Sequence, residues 1–219
     1  MPRITHCKYY NTMKKSLSLS IGLMSLAVVA PASAAGLIGE NYAQAEIGYA
    51  TIDISGISNP DGWTAGGTLN HAAVADPEFG IDVGAALLYH RVSGGGIRTR
   101  GTDFDVYGKV YMPVDVMKPY LGANTGWSWD RTRTAGMSFS DNTWTFGFSG
   151  GVEFALTDTL SLTPDVSWKR YEDYSDDVWV FGVTAHNWFT ETTGGSLGYS
   201  VSEGPNRAHQ VTVGVSMLY

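Results

Sequence analysis

His90, Asp105 and Ser128 bring together the three groups that nucleophilic hydrolysis needs: an imidazole to take a proton, a carboxylate to orient it and a hydroxyl to attack. If segments 80–92 and 102–112 form a hairpin centred near Ile97, His90 falls opposite Asp105, and the next pairing carries Asp103 to Ser128. A register slip of one residue reverses every facing, and serine and aspartate are common on polar strand faces. The expected state is therefore a structural His90 bonded to a neighbouring acid, with no catalytic residue assigned. Metal ligation has less support, because His71, His90, His186 and His209 share no short ligand spacing. Glu172-Asp-Tyr-Ser-Asp-Asp177 lacks the glycine and glutamate pattern of a twelve-residue calcium loop. It reads as a solvated acidic loop, or as a collector of divalent cations. Gly94, Gly95 and Gly96 precede no helix and read as a loop tip rather than a phosphate cradle. No cofactor and no metal is expected.

The elements that must position these groups are strands. In His209–Tyr219, Val211, Val213, Val215, Met217 and Tyr219 alternate with Gln210, Thr212, Gly214 and Ser216, which is one apolar and one small or polar face. The same parity sets Leu121, Trp127 and Trp129 against Gly122, Ser128 and Asp130, and Trp144, Phe146 and Phe148 against Thr145, Gly147 and Ser149. Short turn signals at 75–79, 113–119, 157–159 and 191–195 alternate with longer or more charged ones at 53–63, 93–101, 131–141, 172–177 and 203–208. Nine connections make ten strands, near 42–52, 64–74, 80–92, 102–112, 119–130, 142–156, 160–171, 178–189, 196–202 and 209–219. The fold class is all-β: a transmembrane antiparallel up-and-down barrel with lipid outside and polar residues within. Strand 64–74 is the weak point, with two glycines, His71 and no clean face; eight strands with a long insertion between Tyr171 and His209 is the alternative.

Residues 1–34 read as a signal peptide, with Lys14 and Lys15 before the apolar run Leu17–Ala30 and Pro31-Ala-Ser-Ala34 as the cleavage site. Met13 is a candidate true start. The barrel then occupies 35–219, with no cysteine, because Cys7 falls in the leader. The formal charge of −7 becomes −11 once Arg3, Lys8, Lys14 and Lys15 are removed, ten cationic against 21 acidic residues, which argues against a nucleic-acid partner.

Lys118-Pro-Tyr-Leu-Gly-Ala-Asn-Thr-Gly126, together with the closing segment, resembles the OmpA-like and opacity-protein-like outer-membrane barrels. The resemblance implies a bacterial outer-membrane location and a family of adhesins, structural barrels, narrow pores and a few enzymes. It implies as partners the outer-membrane lipid and lipopolysaccharide and, during biogenesis, the barrel assembly machinery. The latter is expected to read a terminal signal of Val215, Met217 and Tyr219. Parity turns Glu46, Asp82, His90, Asp103, Asp105, Lys109, Asp130, Glu153, Asp165, Lys169 and His186 inward. Buried charges must be paired, so Glu46, Asp82, Asp103, Asp105, Lys109, Glu153, Asp165 and Lys169 are expected to form a charge network that mostly plugs the lumen. The expected role is structural or surface-interacting. Seven acids facing two lysines leave a narrow cation-preferring porin as the alternative, and a hydrolase using His90, Asp105 and Ser128 as the more distant one.

Overall fold

The structure, a computed structural model, describes residues 37–53, 59–134, 136–173 and 176–219. The expected signal peptide, 1–34, and part of the acidic loop at 172–177 lie outside the described residues. The strands are β1 (Tyr42–Asp53), β2 (Asp61–Ala75), β3 (Gly80–Gly94), β4 (Ile97–Tyr111), β5 (Met117–Thr134), β6 (Met137–Ala155), β7 (Leu160–Tyr171), β8 (Asp176–Trp188), β9 (Thr193–Glu203) and β10 (Arg207–Leu218). No helix occurs among the described residues. Each strand pairs antiparallel with its sequence neighbours, and β10 pairs with β1 from Tyr42↔Leu218 to Asp53↔Arg207, closing a ten-stranded barrel.

Alternation along every strand sends one residue set to each face, and here the sets are inverted relative to a water-soluble protein. Leu121 is 75% exposed and Ile47, Leu69, Phe148 and Val213 are likewise exposed, whereas His90, Asp103, Lys109 and Lys169 are buried inside. Hydrocarbon solvates the first set and excludes the second. Tyr49, Trp63, Tyr89, Trp129, Trp144, Trp168, Trp179 and Tyr199 ring the outer face toward one end, and Phe79, Phe189 and Tyr219 mark the other. Amphipathic rings at both levels are what the two membrane interfaces favour.

β2 is a full strand, which settles the count at ten. Its two faces look alike because both carry small residues: Ala65 and Gly67 outward, Gly66 inward, where an added Cβ would lie 2.6 Å from Leu88 Cδ1. A bulge between Ala72 and Val74 then shifts the register. Segments 93–101 and 131–141, expected as loops, are strand almost throughout. Their charged residues keep the period of two, so the ladder continues into water. β3 and β4 meet in a two-residue turn at Gly95 and Gly96, with φ of 58° and 80°, values that L side chains rarely adopt and glycine adopts freely.

Charge at the mid-membrane outer face costs ~2–4 kcal/mol, so Phe148→Lys is expected to cripple folding into vesicles. Ser149→Lys, facing the glycine-lined interior, is expected to fold with much less loss. Equal folded fractions by heat-modified gel mobility would contradict the assigned facing.

Candidate functional site

The lumen holds the titratable residues in three tiers. Toward the outer end, His90 Nε2 meets Asp130 Oδ1 at 2.9 Å, and its Nδ1 lies 3.4 Å from Asp103 Oδ2. Ser128 donates its hydroxyl to Asp130 Oδ2 at 3.0 Å. The β3–β4 turn sits at Gly95-Gly96 rather than near Ile97, so His90 pairs across with Gly101, and Asp105 with Ala86. His90 therefore reaches Asp103 diagonally and does not face Asp105, while Asp103 does pair with Ser128 as expected. Gly101 permits the approach, since a Cβ there would meet Asp130 Oδ1 and His90 Cε1 within 2.5 Å. The grouping His90, Asp105 and Ser128 is thus not assembled. Ser128 points its proton at a carboxylate instead of the imidazole, and all these groups are buried beneath the rim.

In the middle tier, Lys169 donates to Asp105 Oδ2 at 3.0 Å and Oδ1 at 3.2 Å, and Asn124 donates to Asp105 Oδ1 at 3.1 Å. Gln210 on β10 donates to Thr64 on β2 at 3.0 Å, and Gln44 on β1 to Ser196 on β9 at 3.1 Å, so amides lace the closing seam. Glu46 faces inward opposite Gly66 and Gly214 and makes no ion pair within 4 Å among the described residues.

The lower tier contains the feature that sequence reasoning missed. Residues 37–40, ahead of β1, fold into the lumen's lower mouth: Leu37 packs with Tyr42, Trp188 and Leu218, and Ile38 with Tyr111 and Tyr120. Ile38 N donates to Glu153 Oε2 at 3.4 Å, Gly39 N to Asp82 Oδ2 at 3.0 Å, and Lys118 Nζ to Ile38 O at 2.7 Å. Gly39 has φ +86°, and a Cβ there would lie 2.6 Å from Tyr111 Oη, so only glycine fits. Lys118, absent from the expected network, is 3.7 Å from Glu153. Lys109 instead lies over the rings of Tyr107 and Tyr120, 5.1 and 5.4 Å from their centroids, within the field of Asp82, Asp165 and Glu153. Asp165 faces inward beneath Gly182. His186 stacks edge-on against Trp188, 4.6 Å between centroids. Lys118 was legible, since it shares the parity of Tyr120; the segment 37–40 carries no periodicity to mark it.

At the terminus, Val215 and Met217 continue the outward row, and Tyr219 is exposed beside them. Its backbone N–H donates to Asn41 O at 3.1 Å. Its hydroxyl donates to the carbonyl of Asn70 on β2 at 3.0 Å, rather than reaching out to headgroups.

No group of three or more His, Cys, Asp or Glu among the described residues is arranged to hold a metal. Inside the closed wall the arrangement pairs Lys169 with Asp105, Lys118 with Glu153 and His90 with Asp103 and Asp130.

Comparison with curated proteins finds no match. Among solved structures, the chain is similar to the transport unit of the autotransporter AIDA-I from Escherichia coli, with 10% identity, TM-score 0.53, and 95% of this chain and 98% of that one covered. It is also similar to the beta domain of the Bordetella autotransporter BrkA, with 12% identity, TM-score 0.51, and 82% and 100% covered. A third likeness is to Ail, the attachment invasion locus protein of Yersinia pestis, with 12% identity, TM-score 0.43, and 82% and 99% covered. Identities this low speak to the fold alone. Residues 20–217 match the family described as "Outer membrane protein beta-barrel domain". With a closed, inverted ten-stranded barrel and this match over most of its length, the chain belongs to the outer membrane protein β-barrel domain family and resides in the bacterial outer membrane.

Proposed function

We infer that the protein is a closed outer-membrane barrel with a structural or surface-interaction role, its lumen plugged rather than conducting. The observation that carries this reading is the burial of Leu37 and Ile38, 0% and 2% exposed, inside the periplasmic mouth. At the opposite end the interior holds two apolar clusters, Ala50, Ile52, Val92 and Ala208 in one and Tyr171, Val178 and Val180 in the other, with Thr99 and Thr132 hydrogen-bonded to each other beside Val92. An ion crossing the barrel would have to pass the buried apolar residues at each end and the paired charges between them. The surface role is supported by β3 to β6, whose 15 to 19 residues carry their hairpins beyond the aromatic ring as a raised wall. β1, β7, β9 and β10, of 11 or 12 residues, end lower.

Purified protein in a planar bilayer is therefore expected to show no steady current. Leu37→Asp with Ile38→Asp, which ejects the mouth segment, is expected to raise conductance. Steady cation-selective current through the unaltered protein would establish the narrow porin instead.

The Lys169–Asp105 pair is expected to act as part of the plug. Lys169→Ala strands a buried carboxylate and is expected to cost ~3–5 kcal/mol in urea unfolding from vesicles, and adding Asp105→Asn should recover most of it. Additive costs for the two changes would mean that the groups are not coupled.

We also assign Val215, Met217 and Tyr219 to the assembly signal. Deleting Met217–Tyr219 removes the end of the β1–β10 seam and the Tyr219 contacts to Asn41 and Asn70. The truncated chain is expected to stay periplasmic, protease-sensitive and without heat-modified mobility. Its arrival in the outer membrane in folded form would remove that assignment.

A further inference from the structure

The outer face of the raised wall carries a cationic patch that neither the lumen nor the lipid-facing surface explains. Arg91 on β3 pairs across with Arg100 on β4, which pairs with Arg131 on β5. Two residues further out, Arg98 pairs with Arg133. All five side chains are exposed and point outward, and they are half of the ten cationic residues of segment 35–219. With strands ~4.8 Å apart and ~7 Å between successive outward residues, five guanidinium stems share an area of roughly 10 by 7 Å. Like charges directly opposite one another destabilise a sheet. Among the described residues none of the five has a carboxylate within 4 Å, whereas Arg170 and Arg207, elsewhere on the rim, pair with Asp177 and Glu203. Among the described residues, the patch's one side-chain hydrogen bond is Arg131 Nε donating to Ser138 Oγ at 3.1 Å.

Its height identifies what lies against it. Tyr89 and Trp129 belong to the outer aromatic ring, and the two arginine rows lie two and four residues beyond them, roughly 5 and 10 Å further along the membrane normal at ordinary strand tilt. That is headgroup level. A groove of about 440 Å³ runs along this face, lined by Tyr89, Thr102, Trp129 and Asn142 at its foot and by Arg100, Arg131 and Ser140 above. Asp130 and Asp141 also border it, Asp130 being engaged by His90 and Ser128. A groove with two aromatic rings at its foot and arginines above matches an amphiphile with acyl chains below and phosphates above.

We propose that the outward arginines of β3, β4 and β5 form a binding site for the phosphorylated headgroup of outer-leaflet lipopolysaccharide. Guanidinium groups take phosphate oxygens in paired, charge-assisted hydrogen bonds, and one anion between two arginines turns their repulsion into attraction. The site rests on the outer-membrane location and is independent of whether the lumen conducts.

The test uses the folded full chain in an uncharged detergent, titrated with lipid A carrying both phosphates and followed by tryptophan fluorescence. Parallel titrations use dephosphorylated lipid A and inorganic phosphate. Phosphorylated lipid A is expected to bind saturably, and Arg100→Gln with Arg131→Gln to weaken it about thirtyfold, near a tenfold loss for each 1.4 kcal/mol at ~1 kcal/mol per arginine. Arg170→Gln with Arg207→Gln is expected to leave binding unchanged. Heat-modified gel mobility verifies folding, and should the double variant misfold, Arg98→Gln alone is expected to weaken binding severalfold. Undiminished binding by the folded patch variants overturns the proposal, as does equal affinity for dephosphorylated lipid A. Saturation by inorganic phosphate at the same affinity overturns it in favour of a free-anion site.

Discussion

Every backbone N–H and C=O of a chain in hydrocarbon must find a partner within the protein, and the pairing of β1 with β10 is where this chain meets that demand. Without that seam the barrel is a curled sheet with two open edges in lipid. The seam runs along both strands, from Tyr42↔Leu218 to Asp53↔Arg207, and amides reinforce it across the interior: Gln44 reaches Ser196, and Gln210 reaches Thr64. Tyr219 extends the seam past its last pair by bonding to Asn41 and to Asn70. The terminus is thus a latch on the first two strands as well as the end of an outward row.

Closure dictates the polarity that follows. Once lipid takes the apolar face, the interior inherits the polar one, and ten strands enclose a space that side chains can fill. The filling is not uniform. Lysines reach particular acids, Lys169 to Asp105 and Lys118 to Glu153, while His90 lies between Asp103 and Asp130. Polar contacts alone would leave the lower mouth open, because Tyr107, Tyr111 and Tyr120 line it with rings. Leu37 and Ile38 are apolar enough to pack there, and the backbone N–H groups of Gly39 and Ile38 donate to Asp82 and Glu153.

How much of this was legible follows from what period-two reading measures. Facing is a local property, so the inward placement of Asp105, Lys169 and Glu153 could be read from each strand separately. Pairing is a relation between strands and depends on the turn. Placing the β3–β4 turn at Ile97 instead of Gly95-Gly96 moved His90 from Gly101 to Asp105 and put together a hydrolytic triplet that does not exist. Polarity also misled at 131–141, where Arg131, Arg133 and Asp141 marked water but not the end of the strand. Residues 37–40 had no signal at all, because a four-residue segment, Leu-Ile-Gly-Glu, has no period and draws its meaning from the cavity it enters.

The cations of the barrel segment divide by solvent in a way that ties these points together. Inside, where an unpaired charge is costliest, Lys169 and Lys118 have carboxylates and Lys109 has aromatic faces within an acidic field. On the rim, Arg170 and Arg207 lie beside acids, although water would solvate them without. Among the described residues, the outward arginines of β3 to β5 are concentrated, mutually opposed and without a carboxylate within 4 Å, in a chain whose net charge is −7. The nearest acids that border their groove, Asp130 and Asp141, make no ion pair with them, Asp130 being held by His90 and Ser128. The headgroup site proposed there would take its complementary charge from outside the chain, from the phosphates of the leaflet in which the wall stands.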